Sequence, residues 1–570
     1  MSSRPGVFIS LVCFFFAFQA SAQVNFVATE MVGRITDSSA TLHAEVDANI
    51  QYYYEYGIVS GSLSGTSDTL SATAYQPFET IIAGIIPDTR YYYRLNYSSD
   101  GGTTWNQRAE HNFHTQRAPG SAFIFTITSD SHMKSWTDSA ILNLYNITLN
   151  NVQADQPDFH FDHGDTFGVD TVDTGQVAVM NDEYLFQRNL FGQFAHSAPV
   201  YLAIGNHEDE EGWNLDDTQD PADSRPVMSI NARKRNFLNP LPGGFFSGNT
   251  DTSITAIAEN HMPEDYYAFE WGDALFVVLD PYFYTMTKPY PGTQGGEGDD
   301  EITGNRWDWT LGTEQREWFK QTLEQSSAKW KFVFSHQVCG GTNMYGRGGA
   351  ATTQEFEWGA GPIAIGNQRP LWSDSTSIHN LMVENNVTIF FHGHDHVYAM
   401  EEVDSMIYQE CPQPCDIDYD TGFDEYNNND STVMINNSGH IRVRVSEQYV
   451  QVDYVRAYLP AHGTNGTIAH TYYIGSAAGV EESEATGYSM DVFPNPASEE
   501  TNIRFNLPEK QHVKISILNM MGYEVMRPAD EVMDQGQHNL KVYTNTLSSG
   551  QYFIRIESGE FCAVRKLVVL

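Results

Sequence analysis

The chain has 570 residues, 41% of them hydrophobic, so it can bury more than one core, and a prior of about 150 residues per domain gives three or four units. Its 73 acidic and 31 basic residues give a formal net charge of −42. This charge argues against a general nucleic-acid-binding or anionic-membrane-binding protein, because both functions need a basic surface. A phosphate-bearing ligand would need a local attraction, which metal cations can supply.

The N-terminus, residues 1–22, has the pattern of a signal peptide. Arg4 precedes an apolar stretch from Val7 to Phe18, and the small residues 20–22 fit a cleavage site. A membrane anchor is the alternative, but the stretch is short for a span and no later segment reaches about 18 apolar residues. We therefore expect an exported protein with no membrane span, whose mature chain begins near Gln23.

Residues 23–118 are predicted to form an all-β domain. Alternating segments at 40–46, 51–57 and 90–97 are separated by turns rich in Gly, Ser, Asp and Pro. The segment around Tyr91 resembles the strand corner of fibronectin type III domains, with Tyr91 as the corner tyrosine. Such a module usually packs against or positions a neighbour; ligand binding is the less favoured alternative.

Residues 119–476 alternate buried strands with amphipathic helices, which predicts a layered α/β domain. The predicted strands are 122–128, 159–162, 200–205, 330–335 and 387–393, and the predicted helices are 138–152, 313–325 and 376–386. Two insertions, 208–263 and 281–306, lack clear periodicity. Loops of this length inside a domain are usually functional or disordered, so both are candidates for a specificity rim.

A short polar motif follows each of the five predicted strands: SDSH, HGD, GNHE, SH and HGHDH. They supply Asp130, His132, Asp165, Asn206, His207, His336, His394 and His396. Strands that end in ligands present them together at one edge of an α/β sheet. Carboxylate, imidazole and amide groups suit metals such as Fe, Mn and Zn, and two adjacent ions can activate water for in-line displacement at phosphorus. Asp165 is the obvious residue to bridge them.

The five motifs resemble those of the calcineurin-like metallophosphoesterase superfamily, over about residues 120–460. The resemblance implies two mixed sheets sandwiched between helices, a dinuclear metal centre, and His207 as proton donor to the leaving oxygen. It assigns one metal to Asp130, His132, Asp165 and His396, and the other to Asp165, Asn206, His336 and His394.

A fibronectin-like module followed by this domain looks like the architecture of purple acid phosphatases. Two residues depart from that subfamily. Gly168 stands where a tyrosine would bind and colour the iron, and His132 stands where those enzymes have no histidine ligand. An oxidised iron–tyrosinate centre is therefore not expected.

Three further residues lie close to the motifs in sequence. His163 and His392 precede the glycines of HGD and HGHDH, and each could orient a ligand or simply be a buried structural histidine. Arg347, in a glycine-rich segment after His336, could bind a substrate phosphate; a flexible loop is an equal alternative.

Two features have a favoured structural interpretation. The acidic run at 208–211 could hold an extra cation or tune His207, but a solvated acidic loop is the favoured interpretation. Cys411 and Cys415 bracket Pro-Gln-Pro and could close a small disulfide loop in an oxidising compartment; a metal-binding pair is the weaker alternative.

The C-terminal part divides into a linker, 477–490, and a β-rich unit, 491–570. This unit resembles the sorting domain of the type IX secretion system, because PNPA at 494–497, Asn519 with Gly522, and Ser549-Gly550 with Tyr552 occur in order. The resemblance implies recognition by the type IX machinery, transport across the outer membrane, and removal of the tail with release or surface attachment.

The sequence therefore predicts a secreted or surface-attached, metal-dependent phosphoric ester hydrolase that acts on small phosphate esters, with phosphomonoesters favoured. A phosphodiesterase or nucleotide hydrolase is the alternative among enzymes. A non-catalytic adhesion or glycan-binding protein is the alternative from another class, although retention of every ligand and of His207 argues against it.

Overall fold

The computed structural model describes residues 23–169, 171–289, 306–341, 346–350, 352–354, 357–358, 376–420, 432–475, 489–498, 500–518, 524–545, 547, 550–558 and 561–569. The predicted signal peptide, the linker from 477 to 488, and the sorting-domain residues Asn519, Gly522 and Ser549 lie outside these ranges.

The N-terminal unit is all-β, as predicted. Its strands are β1 (Phe26–Gly33), β2 (Ser39–Val46), β3 (Ile50–Gly57), β4 (Gly65–Thr66), β5 (Leu70–Ala72), β6 (Pro77–Ala83), β7 (Arg90–Ser98), β8 (Asn106–Gln107) and β9 (His111–His114). One sheet has the order β1-β2-β6, and the other is built around β3 and β7. The backbone N–H of Ile86 donates a hydrogen bond to the Tyr91 hydroxyl (3.0 Å), the contact that a tyrosine corner makes. Membership of the fibronectin type III class stays a prediction.

The central unit alternates strands and helices. Its elements are β10 (Phe123–Thr128), α1 (Ser139–Asp155), β11 (Phe159–Asp162), α2 (Val177–Phe191), β12 (Val200–Leu202), α3 (Arg225–Asn236), β13 (Ser247–Gly248), β14 (Tyr267–Trp271), β15 (Ala274–Val278), α4 (Gly312–Gln325), β16 (Trp330–Phe334), α5 (Ile378–Glu384), β17 (Ile389–His392), β18 (Tyr398–Val403), β19 (Met406–Glu410), β20 (Val433–Ile435), β21 (Gly439–Val445), β22 (Tyr449–Arg456) and β23 (Ile468–Gly475). Three 3₁₀ turns lie at Gly212–Asn214, Pro221–Asp223 and Arg306–Asp308.

These strands form two mixed sheets. The six-stranded sheet has the order β12-β11-β10-β21-β22-β23, and the eight-stranded sheet has the order β13-β14-β15-β16-β17-β19-β18-β20. Strands β10, β11 and β12 are mutually parallel, and so are β15, β16 and β17. The carboxyl ends of parallel strands meet at one sheet edge, so each sheet can present several motifs together.

A layer of phenylalanine rings holds the two sheets face to face. Phe161 of β11 stacks on Phe334 of β16 with ring centroids 4.1 Å apart, and Phe125 of β10 meets Phe276 of β15 edge-on at 5.1 Å. Alternate residues of a strand point to one face, which explains why phenylalanines recur at every second position of β10, β11 and β16. The rings bury a large apolar area and set the separation of the two ligand-bearing edges.

The structure contains two helices that the sequence analysis missed. The three predicted helices are present at α1, α4 and α5, but α2 and α3 were not predicted. Helix α3 lies inside the 208–263 insertion, so the expectation of an aperiodic segment there is wrong. Its polar side chains Arg233 and Lys234 are buried, and this hides the apolar periodicity on which a sequence-based prediction depends.

Helix α2 joins the N-terminal unit to the central unit. The fully buried guanidinium of Arg188 donates to the carbonyl oxygen of Thr29 (2.7 Å) and to Nδ1 of His43 (3.0 Å). The two units also share one continuous apolar core, which runs from Tyr52 and Leu95 to Phe125 and Phe332. The N-terminal unit is therefore packed against the domain that carries the motifs.

The C-terminal unit is separate and all-β. Its strands are β24 (Ser489–Phe493), β25 (Glu500–Leu507), β26 (Gln511–Leu518), β27 (Glu524–Met533), β28 (Gly536–Tyr543), β29 (Gly550–Ser558) and β30 (Phe561–Val569). They form sheets of order β24-β25-β28 and β27-β26-β29-β30 around their own apolar core. Among the described residues of the whole chain, no helix is both long enough and apolar enough to cross a membrane.

Candidate metal centre

The motif residues leave their strands in an unusual backbone conformation. Asp130, His132, Asp165, His394 and His396 all have positive φ angles, between 48° and 80°. Non-glycine residues rarely adopt this left-handed region, and such strain concentrates at functional sites. The chain therefore turns sharply at the ends of β10, β11 and β17, which directs the side chains of successive motifs toward one another.

The turned loops bring seven predicted residues to the shared edge of the two sheets. Ligand atoms of Asp130, His132, Asp165 and His396 lie within 4.8 Å of one another and form the first group. Those of Asp165, His336 and His394 lie within the same limit and form the second group. Asp165 belongs to both groups. Asn206, the remaining predicted ligand, directly precedes His207 and is buried at the same edge.

Two glycines allow the loops to approach so closely. Gly164 has a φ of 88°, and a Cβ atom there would lie 2.7 Å from His336 Nδ1 and from the backbone nitrogen of Gly205. At Gly393 a Cβ would lie 2.7 Å from Asp130 Oδ2. Real side chains do not tolerate such distances, so the glycines of HGD and HGHDH are required by packing at the site.

The electrostatics of the second group are those of a site that attracts cations. Burial opposes protonation of His336, but the carboxylates of Asp165 and Asp130 outweigh it and raise the pKa of His336 to about 10. Its Nε2 lies 3.1 Å from Asp165 Oδ2, while its Nδ1 contacts the carbonyl oxygen of His163 (2.8 Å). The carbonyl orients the ring and leaves Nε2 for the cluster, where a metal ion would replace the proton.

The other imidazoles are held neutral, the form in which they bind metals. Burial, and next the neighbouring His207 charge, hold the pKa of His132 well below its usual value. Burial and the Arg347 guanidinium lower the pKa of His394 strongly and that of His396 to about 3. Nε2 of His132 lies 3.0 Å from Nε2 of His396, so the two rings point at a common position.

The donor set fits two metal ions. Both side-chain amide atoms of Asn206 and both ring nitrogens of His394 are buried without a hydrogen-bond partner in the described part of the chain. Leaving a buried polar group unpaired costs about 1–3 kcal/mol. Metal coordination removes that cost, and the mixture of carboxylate, imidazole and amide oxygen suits Fe, Mn or Zn.

Glu208 fixes the two central loops to each other. Its carboxylate accepts hydrogen bonds from the backbone N–H groups of Gly205 (2.5 Å), Asp165 (2.9 Å), Thr166 (2.7 Å) and Phe167 (3.2 Å). Burial, together with the Asp165 charge, raises its pKa to about 7. This residue holds Asp165 in place and was not predicted to do so.

The rest of the acidic run is also buried, so the expectation of a solvated loop is wrong. Glu210 pairs through both oxygens with Arg233 of α3 (2.8 Å each), and Asp209 lies 3.2 Å from Arg225. The basic residues of the unpredicted helix α3 neutralise acidic groups that would otherwise favour water.

A second set of contacts supports the HGHDH loop. Arg347 donates to the carbonyl oxygen of His394 (2.8 Å), and the Gly348 N–H donates to Asp395 (2.7 Å). Glu410 accepts the Asp395 N–H (3.1 Å) and contacts the His392 ring. His163 and His392 therefore lie just outside the ligand groups, and Arg347 is anchored beside His394.

His207 lies at the accessible side of the site. Its backbone N–H donates to Asp165 Oδ1 (2.8 Å), its Nε2 is 3.9 Å from Asp165 Oδ2, and its ring is 4.6 Å from that of His132. The side chains of His132, His207 and His396 are 21%, 17% and 32% exposed, whereas His336 is 0% exposed. A substrate would reach the site from the side of these three imidazoles.

The surroundings of Gly168 differ from those of a tyrosine ligand. Gly168 has a φ of 46°, and a Cβ there would lie 2.7 Å from Cε of Lys134. The flexible stem of Lys134 lies beside Gly168. The expectation that no iron–tyrosinate centre forms stays a prediction.

The possible disulfide between Cys411 and Cys415 is not present, since both cysteines are free and buried. Cys411 Sγ lies 3.9 Å from His163 Nδ1, and Cys415 Sγ lies 3.6 Å from the Ser131 carbonyl oxygen. Each thiol points beneath a different motif loop rather than toward the other.

Comparison with known families agrees with this geometry. Residues 123–398 match the calcineurin-like phosphoesterase model, and residues 491–570 match the secretion system C-terminal sorting domain. The chain contains a calcineurin-like phosphoesterase domain. This domain and the Asp/His groups support a metallophosphoesterase, and the sorting domain indicates a secreted or surface-attached protein. No curated protein matches the chain.

Solved structures of low sequence identity resemble this chain to different degrees, and that of PhoD shares its fold. The structure of PhoD is 14% identical, with a TM-score of 0.52 over 79% of this chain and 90% of that one. GAP50, the anchor in the inner membrane complex of Plasmodium, is 11% identical, with a TM-score of 0.35 over 62% of this chain and 89% of that one. A 5'-nucleotidase from Staphylococcus aureus is 12% identical, with a TM-score of 0.28 over 62% and 54%. The similarity to PhoD supports the multidomain arrangement predicted from sequence.

Proposed function

We propose that this protein is an extracellular phosphatase that hydrolyses small phosphomonoesters at a dinuclear metal centre. The observation that carries the proposal is the pair of ligand groups that share Asp165. The metals would be held by Asp130, His132, Asp165 and His396 on one side, and by Asp165, Asn206, His336 and His394 on the other. When bound, two such ions neutralise phosphoryl charge and lower the pKa of water toward neutrality.

Hydrogen bonds from their own or neighbouring backbone N–H groups fix the loops that carry Asp165 and Asn206. Glu208 holds the backbone of Asp165, and the Asp165 carboxylate in turn accepts the His207 N–H (2.8 Å). The buried Asn206 amide has an oxygen for a metal ion and an N–H₂ group that donates to a phosphoryl oxygen. Pre-oriented donors of this kind stabilise the transition state because they need no reorganisation.

His207 protonates the leaving oxygen. Its ring is partly exposed, lies beside His132, and is close enough to the Asp165 carboxylate for the imidazolium to be stabilised. Positioned acids of this type contribute about 10²–10⁴-fold to rate. Arg347 is anchored to His394, and its charge acts on both His394 and His396; we propose that it binds a phosphoryl oxygen.

The test is hydrolysis of p-nitrophenyl phosphate and bis-p-nitrophenyl phosphate by the mature protein, with bound metals quantified in the same sample. We expect two ions per chain and faster turnover of the monoester. His207→Ala should keep both ions and lower kcat for a poor leaving group by about 10²–10⁴-fold. His462→Ala, a change at an exposed histidine far from the motifs in sequence, is the matched control.

Each result has one meaning. Preference for the diester would replace the phosphatase proposal by a phosphodiesterase. Two bound ions with no turnover of either ester would contradict the catalytic proposal, and wild-type rates in His207→Ala would remove its role as an acid.

A further inference from the structure

A cavity of about 490 Å³ adjoins the first ligand group. It lies between the segment that follows β10 and the segment that follows β19, and its lining includes His132, Trp136, Asp138, Gln413, Asp416 and Asp418. His132 belongs both to the cavity and to the first ligand group. A substrate whose phosphoryl group lies at the metal centre could therefore extend its remaining part into this cavity.

The accessible side of the site and the cavity share His132. His132 and His207, whose rings are 4.6 Å apart, are both partly exposed, whereas His336 and His394 are buried. Because His207 is the proposed donor to the leaving oxygen, the leaving alcohol must lie on this accessible side. The cavity that begins at His132 is thus placed to receive it.

Trp136 is the main aromatic surface of the cavity. It is 64% exposed, compared with 37% for Trp105 in the N-terminal unit. Exposure of a large indole forgoes apolar burial and leaves its ring face open to a ligand. The Lys134 ammonium lies 5.9 Å from the ring centroid, near the outer limit of a cation–π contact, so a ligand cation would have to displace it from the ring.

The charge of the cavity selects among leaving groups. Its acidic lining residues are Asp138, Asp416 and Asp418, and no Lys or Arg is among the described residues that line it. Two of these carboxylates are fixed, because Asp138 accepts the Ala140 N–H (2.7 Å) and Asp416 accepts the Asp418 N–H (2.9 Å). Such a cavity repels a leaving group that carries additional phosphates and attracts a cationic one.

We propose that this cavity binds the leaving alcohol of the substrate and that this alcohol carries an ammonium group, which stacks on Trp136 among the three aspartates. Tryptophan is the best aromatic partner for such cations, above all for quaternary ammonium groups. The substrates are then phosphate esters of amino alcohols, such as phosphocholine. The inference rests on the proposed phosphatase function and specifies its substrate class.

The experiment compares kcat/KM for phosphocholine, glycerol 2-phosphate and adenosine monophosphate with the metal-loaded mature protein. These monoesters have cationic, neutral and neutral aromatic leaving groups. We expect phosphocholine to be preferred over glycerol 2-phosphate by about tenfold. Trp136→Ala should lower kcat/KM for phosphocholine by about tenfold and that for glycerol 2-phosphate by less than about twofold.

Charge is tested separately from stacking. Asp418→Asn should lower kcat/KM for phosphocholine by about threefold at low ionic strength, with a smaller effect in high salt. Trp105→Ala and Asp68→Asn, at exposed positions of the N-terminal unit, are the matched controls. They should leave kcat/KM unchanged for both phosphocholine and glycerol 2-phosphate. Phosphatidylcholine vesicles, which carry a phosphodiester, are added as a competitor of phosphocholine hydrolysis. Inhibition by the vesicles would show that the cavity also accepts a lipid headgroup, and no inhibition would assign it to the soluble ester.

The outcomes separate this inference from the proposed function. Turnover of p-nitrophenyl phosphate without preference for phosphocholine, preference for adenosine monophosphate, or equal losses for all esters in Trp136→Ala would each overturn the ammonium site and leave the phosphatase intact. If two ions are bound and no ester is hydrolysed, the binding of phosphocholine is measured by calorimetry. Phosphocholine binding that Trp136→Ala weakens by about tenfold supports the cavity, and absence of binding overturns it.

Discussion

The two ligand groups share Asp165 and similar residue types, but they differ in their access to solvent. In the first group, His132 and His396 are 21% and 32% exposed. In the second group, His336 and His394 are buried, and Asn206 is buried with them. Similar ligands at neighbouring strand ends thus form one open position, which a substrate can approach, and one enclosed position.

The surroundings of the two groups also differ. Beyond β16, Gln337 donates to the Gly346 carbonyl (3.0 Å), and Arg347 donates to that of His394 (2.8 Å) in the enclosed group. Beyond β10 the segment with His132 borders the 490 Å³ cavity. A cation held by the enclosed group would be shielded from water, which would strengthen its attraction to Asp165 and slow its release.

The largest expected effect comes from removing what the two groups share. Asp165→Asn keeps the shape of the side chain but takes away the charge that a bridging ligand needs. We expect loss of both ions and a fall in turnover of about a thousandfold or more. Elemental analysis and p-nitrophenyl phosphate hydrolysis measure the two effects. Retention of two ions by this variant would show that Asp165 does not bridge.

A matched pair of histidine changes should separate the two groups. His336→Ala should abolish tight binding of the enclosed ion, and His132→Ala should weaken only the open one, with turnover reduced by about a hundredfold or more in each. Stepwise competition with a chelator measures both affinities, and the wild type should release one ion well before the other. Equal release of the two ions, or the same loss in both variants, would refute the distinction drawn from burial.

The site was predictable from sequence because its signal is local. Each ligand lies within a few residues of the end of a strand, and apolar strands such as β10 and β16 are visible as short runs of Phe, Ile and Val. The five motifs therefore located the residues that the structure places in the two groups. The boundaries of the predicted domains and the role of each site residue stay predictions.

The supporting residues could not be predicted because they depend on contacts that are distant in sequence. Glu210 is neutralised by Arg233, 23 positions away, and Glu410 supports Asp395 across neighbouring strands. When no basic partner is visible nearby in the sequence, an acidic run predicts a solvated loop. The same limitation applies to Cys411 and Cys415, whose short spacing suggests a disulfide, although each side chain packs under a different loop.

The smallest of the expected effects tests the residue that the sequence analysis missed. Glu208→Gln keeps the size of the side chain, but its amide has one acceptor oxygen instead of two, and its N–H₂ group must face backbone donors. At least one of the Asp165, Thr166, Phe167 and Gly205 N–H groups then loses its partner, at a cost of about 1–3 kcal/mol. Because those N–H groups hold Asp165, metal affinity and turnover should fall by about tenfold to a hundredfold.

Glu210→Gln is the matched control for this change. It breaks the buried pair with Arg233 and should lower the free energy of unfolding by about 3–5 kcal/mol, yet Glu210 contacts none of the proposed ligands through its side chain in the hydrogen bonds described. Thermal melting and metal titration of the two variants separate stability from positioning. Two results would contradict the positioning role of Glu208: Glu208→Gln lowers only the melting temperature, or Glu210→Gln lowers metal affinity equally. Glu208 would then act through stability alone, and the link between the two central loops would not govern the metal centre.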